Sequence, residues 1–112
     1  MAGKYDVYVY HDPQDDKFKV RPGVVFETPK TVVKFRNLVD PITQGTVTLT
    51  FPPGLIKDYP NGGTTQQIGK TANFQIDDNA ADFYDYQVTV TPPFDKPKKA
   101  YGGSDPGMII DA

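Results

Sequence analysis

The stretch Thr46-Val47-Thr48-Leu49-Thr50-Phe51 alternates polar and apolar side chains without a break. A period of two places Val47, Leu49 and Phe51 on one side of an extended chain and the three threonines on the other. A helix, with its period of 3.6, would scatter the same residues around its circumference. Thr31-Val32-Val33-Lys34-Phe35-Arg36-Asn37 repeats the pattern, with Val33 and Phe35 on one face and Lys34 and Arg36 on the other. This is the signature of antiparallel sheet with one buried and one wet face. Further strands are expected at 5–10, 18–20, 24–27, 72–76, 83–91 and 108–110, where β-branched and aromatic residues dominate. Val7 and Val9 should face inward, as should Phe74 and Ile76. Tyr84, Tyr86, Val88 and Val90 should form one face of the longest strand.

Turn signals separate these runs: Asp12-Pro13, Arg21-Pro22-Gly23, Asp40-Pro41, Pro52-Pro53-Gly54, Asn61-Gly62-Gly63 and Pro92-Pro93. Proline fixes φ and donates no backbone hydrogen bond, so each marks an edge, a bulge or a turn. No amphipathic helix is legible, and 78–82 is expected to form one helical turn at most. Many short strands with regular turns define an all-β chain, expected to be a Greek-key β-sandwich of about seven or eight mainly antiparallel strands. An immunoglobulin-like sandwich is the alternative, although its Cys–Trp–Cys signature is missing. With 112 residues, no internal repeat and no linker, the chain reads as a single domain, 1–112.

Composition excludes several classes of chemistry. With no cysteine there is no disulfide, iron–sulfur cluster, thiolate zinc site or thiol nucleophile. A net charge of −2 argues against a nucleic-acid partner, which calls for clustered Lys and Arg. The local cluster Lys96, Lys98 and Lys99, beside Asp95, reads as a solvated loop. No window approaches the roughly 20 apolar residues of a membrane span. The start, Met1-Ala2-Gly3-Lys4-Tyr5-Asp6, lacks the apolar core of a signal peptide. The expectation is therefore a cytoplasmic chain as it stands, and a periplasmic or secreted one if a leader precedes it.

Two stretches carry a family resemblance. The first runs from Phe18-Lys19-Val20-Arg21-Pro22 to Val33-Lys34-Phe35-Arg36-Asn37; the second is Tyr84-Asp85-Tyr86-Gln87-Val88, a loop, and Gly107-Met108-Ile109-Ile110. Together they resemble the cupredoxin family: a strand with Phe and Pro, a strand ending in an apolar–x–Asn pattern, then an aromatic–x–aromatic–x–Cys strand, a ligand loop and a closing strand. The resemblance implies a cupredoxin-like sandwich and points to a copper site near Asn37, Val88 and Met108. The ligands themselves are missing. Type-1 copper takes two imidazoles and a thiolate, usually with a weak axial thioether. Val88 stands at the family's Cys position, no His follows Asn37 or lies in 91–107, and Met108 alone matches the axial ligand. The resemblance therefore implies a fold without its copper cofactor, with these positions vestigial.

Other candidates are scattered. His11, the single histidine, stands near Asp12, Asp15 and Asp16 and is expected either as an exposed turn residue or as part of a weak divalent-ion site. Asp77, Asp78, Asp82 and Asp85, with Asn79, offer oxygen ligands suited to calcium, but their spacing matches no EF-hand loop. Asp77 and Asp78 would otherwise cap a turn. Asn61-Gly62-Gly63-Thr64-Thr65 and Gly102-Gly103-Ser104 lack the features of a phosphate loop. Tyr8 and Tyr10, opposite in parity to Val7 and Val9, and Tyr59 and Tyr101 in loops, could stack on sugars or grip a peptide, or simply close the ends of the sandwich. No acid–base pair or activated nucleophile can be assembled, so the chain is expected to be no enzyme. The two classes that remain are a protein-interaction or structural module, acting through loop 92–107 or an edge strand, and a small-ligand module for calcium or carbohydrate.

Overall fold

The computed structural model describes residues 2–57, 64–94, 96–100 and 106–111. Within them the chain is all-β, with eleven strands and no helix. The strands are β1 (Ala2–Asp12), β2 (Lys17–Arg21), β3 (Val24–Glu27), β4 (Val32–Asn37), β5 (Thr46–Phe51), β6 (Thr64–Ile68), β7 (Thr71–Gln75), β8 (Asp82–Asp85), β9 (Gln87–Thr91), β10 (Lys98–Ala100) and β11 (Gly107–Ile110). They form two four-stranded sheets, β2-β1-β4-β7 and β10-β9-β5-β6, and a three-stranded sheet, β3-β11-β8. The result is a β-sandwich whose pairings are antiparallel except for β1 with β4 and β11 with β3, which are parallel.

The expected alternation sets the burial. Val47, Leu49 and Phe51 on β5 are buried while the threonines between them stay half-exposed. Val7 and Val9 on β1, Val33 and Phe35 on β4, and Phe74 and Ile76 at β7 all turn inward. An aromatic cluster joins the two larger sheets. Phe35 lies 6.0 Å from Phe51, 5.8 Å from Phe74 and 5.7 Å from Tyr86, ring centre to ring centre, each pair edge-on. The three-stranded sheet feeds the same core through Val25, Met108 and Ile110. Each such side chain contributes about 1.5–3 kcal/mol by leaving water.

The strand count exceeds the expected seven or eight for three reasons. The run 83–91 is divided, because the chain changes sheets at Tyr86: β8 pairs with β11, β9 pairs with β5, and the Tyr86 N–H donates to the Pro106 carbonyl instead of to a ladder. Strand β6, Thr-Thr-Gln-Gln-Ile, is a sheet edge with almost no apolar content to betray it. Strand β10 lies inside the expected loop 92–107, pairing Lys98 with Val90 and Ala100 with Val88. Lysines at an edge discourage pairing with other chains, which is why such a strand does not look like one. The expected helical turn at 78–82 does not form: 78 and 79 make a turn, 80 and 81 are irregular, and Asp82 opens β8. The glycine-rich segments 61–63 and 102–104, and Tyr59 and Tyr101, lie outside the described residues.

Tyr86 carries a cost inside this core. It is 1 % exposed, and its hydroxyl has no hydrogen-bond partner among the described residues. Burial pushes its phenol well above the usual range, so it stays neutral. A buried hydroxyl without a partner costs about 1–3 kcal/mol. Tyr86→Phe keeps the ring and removes that group, so the variant should be more stable by about 1 kcal/mol and melt several degrees higher. A lower melting temperature would mean that the hydroxyl has a partner.

Candidate functional site

The three positions at which the resemblance would put a lost copper site fall on three different sheets. Asn37 ends β4, where its amide shapes a turn: Nδ2 donates to the Gly69 carbonyl at 3.2 Å, and Oδ1 accepts from the Val39 N–H at 2.9 Å. Val88, on β9, is buried between Leu49 and Ala100. Met108, on β11, is buried between Val25 and Tyr84.

His11 is half-buried and belongs to a charged turn. Its Nε2 lies 2.7 Å from Asp16 Oδ1, and its ring meets Phe18 edge-on at 5.3 Å. Lys19 Nζ bridges Asp12 at 2.7 Å and Asp15 at 2.9 Å. Its hydrogen bond, helped by the Gln14 N–H, holds the Asp12 carboxyl below the usual carboxylate range. The carboxylates near the histidine thus already have a cation among them.

The Asp77–Asp85 group is dispersed. Asp77 Oδ1 caps the turn by accepting from the Asn79 N–H at 2.9 Å, and Asp78 faces Lys57 Nζ at 3.8 Å. Asp82 and Asp85 stand at the two ends of β8, about 10 Å apart and on opposite faces of the strand. Among the described residues no three His, Asp or Glu side chains gather as a metal site would require. Of the exposed tyrosines expected, Tyr8 is 38 % exposed and lies in register between Arg21 and Arg36, while Tyr10 is half-buried. Arg36 is engaged with Asp6, Nε to Oδ2 at 2.6 Å.

The sheet β3-β11-β8 presents a different kind of surface. Its register aligns Phe26, Ile109 and Phe83 in one row across three strands. Met108 and Ile110 turn inward, so by parity Ile109 and its two partners turn outward. Phe26 is 55 % and Phe83 52 % exposed, with Val24 beside them at 42 %. Gly107 makes the surface continuous: a Cβ there would sit 2.7 Å from two ring atoms of Phe83, so the glycine lets that ring lie flat across β11. Asp85 and Asp111 share the outward parity, and Asp82 is exposed at the start of β8. No lysine or arginine occurs in the three strands. The outcome is an apolar face with an acidic margin.

Loops gather at the end of β9, where Gly45 lies against Thr91 and Pro92. The turn 40–45 is closed by Asp40, whose Oδ1 accepts from the Ile42 N–H at 2.9 Å, and these backbone donors hold its carboxyl below the usual range. Ile42 is left exposed on that turn, and Phe94 projects completely into solvent beyond β9. An open groove of about 760 Å³ runs between 36–41 and 67–71, with Arg36, Asp40 and Lys70 among its lining residues.

Sequence reasoning passed over Phe26, Phe83 and Ile109. The signal was present: Val24-Val25-Phe26 is apolar on both faces, and Phe83 has the outward parity of the aromatic strand. No helix among the described residues is long and apolar enough to cross a membrane. No protein-family model matches the chain, and no curated protein matches it in sequence.

Proposed function

We propose that the protein is a non-enzymatic interaction or structural module built on a Greek-key, cupredoxin-like sandwich that lacks type-1 copper. The observation that carries this reading is the row Phe26–Ile109–Phe83. The core is already filled by other side chains, yet these three remain at the surface, aligned and flattened. Large aromatic side chains left in water as one patch mark contact surfaces, because single exposed apolar residues arise by chance more readily than aligned ones. The cupredoxin-like part is supported by β2, β4 and β11, which form where the resemblance expects strands, and by the pairing of β11 with β8, the first half of the divided aromatic run 83–91.

The test is capture with the full chain as bait, wild type against Phe26→Ser/Phe83→Ser. Both side chains are half exposed, so the double variant should keep its stability within about 1 kcal/mol. A protein retained by the wild type and lost by the variant is the expected result. Equal capture by both would remove the face from the account. An intense visible charge-transfer band on copper titration would overturn the copper-free reading.

A further inference from the structure

The partner for an apolar face with an acidic margin is an apolar knob beside cations, and the chain carries one. Phe94 is fully exposed at the end of β9, and Lys96, Lys98 and Lys99 follow it, the last two exposed on β10. Within the segment 93–99 the one opposing charge is Asp95. Knob and face do not cover one another within the molecule: Phe94 is fully exposed, and Phe26 and Phe83 are each half-exposed. Phe83 on β8 and Thr91 at the end of β9 lie on different sheets, separated by the change of sheet at Tyr86 and by a contour of at most about 26 Å at roughly 3.3 Å per residue.

We propose that copies of this chain assemble head to tail, with Phe94 and its lysines on one copy docked on the Phe26–Ile109–Phe83 face and its aspartates on the next. The proposal rests on the interaction reading above and names a second copy as the occupant. Two different patches meet, so the interface is heterologous; each dimer keeps one unused knob and one unused face, and growth continues into a chain or a ring. The contact is small. Two half-exposed phenylalanines with Val24 and Ile109 offer on the order of 300 Å² of apolar surface, well below the roughly 800 Å² per partner of a stable complex. Association should therefore be weak and reversible. Opposite charges line the two sides, so salt should weaken it, the screening length falling from about 10 Å at 0.1 M to 3 Å at 1 M.

Sedimentation velocity on the full chain between roughly 10 µM and 1 mM, a range set by the small interface, tests this. The wild type should grow beyond a dimer with concentration and revert toward monomer in high salt. Phe94→Ala, which removes the knob, and Phe83→Ser, which breaks the face, should each be monomeric alone. A one-to-one mixture of the two should form a dimer and stop, since one copy supplies the intact face and the other the intact knob. Phe94→Ala touches no packed residue; if Phe83→Ser proves unfolded by its melt, Asp85→Lys takes its place, monomeric alone, and mixing it with Lys99→Asp should restore growth beyond a dimer, since each copy's knob then meets a face of opposite charge on the other. A wild type that stays monomeric throughout overturns the proposal, as does a closed dimer that Phe94→Ala leaves intact. A foreign protein captured through the face by a chain that never self-associates overturns head-to-tail assembly while leaving the interaction reading standing. Absence of both defeats both.

Discussion

Phe35→Ala is expected to lower the free energy of unfolding by about 3–5 kcal/mol, out of the 5–15 kcal/mol that holds a domain of this kind together. Phe35 is completely buried at the middle of β4. Three aromatic rings lean on it edge-on, from β5, β7 and the sheet-switching Tyr86. Each such contact adds about 0.5–1.5 kcal/mol beyond area burial, because ring edges carry positive charge and ring faces negative. Its register neighbours are Val7 and Ala72, too short to expand into the gap. The cavity should persist, and the cost should sit toward the upper end. The check is the denaturant midpoint, which should fall with an unchanged slope if the variant still unfolds in two states. A loss under about 1 kcal/mol would mean that the cluster is not packed as described. Phe74 is coupled to the same ring, so a cycle with Phe35→Leu and Phe74→Leu should show an interaction of about 0.5–3 kcal/mol.

The aromatic residues thus divide into two populations with opposite consequences. Phe35, Phe51, Phe74 and Tyr86 converge from both larger sheets and hold them together. Phe26, Phe83 and Phe94 stay at the surface and contribute little to folding. Stability and association are therefore separable by mutation, which allows the surface variants to be read as tests of binding and not of folding.

Much of the sandwich was legible because burial and alternation coincide. Strand β5 shows its buried face in its spelling, and β3 occupies the expected 24–27. What escaped had physical reasons. Strands β6 and β10 are edges whose residues need not be apolar on either side, so they carry no period to read. The break at Tyr86 is invisible because Tyr84, Tyr86, Val88 and Val90 keep their parity while the backbone moves to a different sheet. The aspartates 77–85 look clustered in sequence, but a strand alternates its faces and spreads its residues, so proximity in the chain becomes separation in space. The exposed face was hidden for the opposite reason. Phe26, Phe83 and Ile109 are far apart in sequence, and strand register alone brings them together.

Gly45→Ala is the second large effect, and it acts through the backbone. Gly45 has φ of +136°, a conformation that side chains disfavour. It also lies against the end of β9: an added Cβ would stand 2.5 Å from the Thr91 carbonyl oxygen, 2.7 Å from its carbon and 2.9 Å from the Pro92 nitrogen. These are backbone atoms, so no side chain can swing away. Either β5 or β9 must shift, and the first casualty is the Thr46–Thr91 pairing. Backbone strain of about 1–3 kcal/mol and overpacking of similar size together predict a loss of roughly 2–6 kcal/mol. Two other glycines calibrate the result. Gly54, at φ +83°, has the Tyr84 hydroxyl at 3.9 Å as its nearest obstacle, so Gly54→Ala meets strain without a clash and should cost about 1 kcal/mol. Gly69 has nothing within 4 Å and an ordinary φ, so Gly69→Ala should be neutral or gain up to about 1 kcal/mol from a less flexible unfolded chain. Melting curves of the three variants should rank them in that order. Gly45→Ala should also disturb Pro92 and hence the setting of Phe94, so at temperatures where it remains folded it should self-associate less than the wild type. A Gly45→Ala variant as stable as Gly69→Ala would show that the end of β9 does not press on this turn, and the placement of Phe94 would then lose its support.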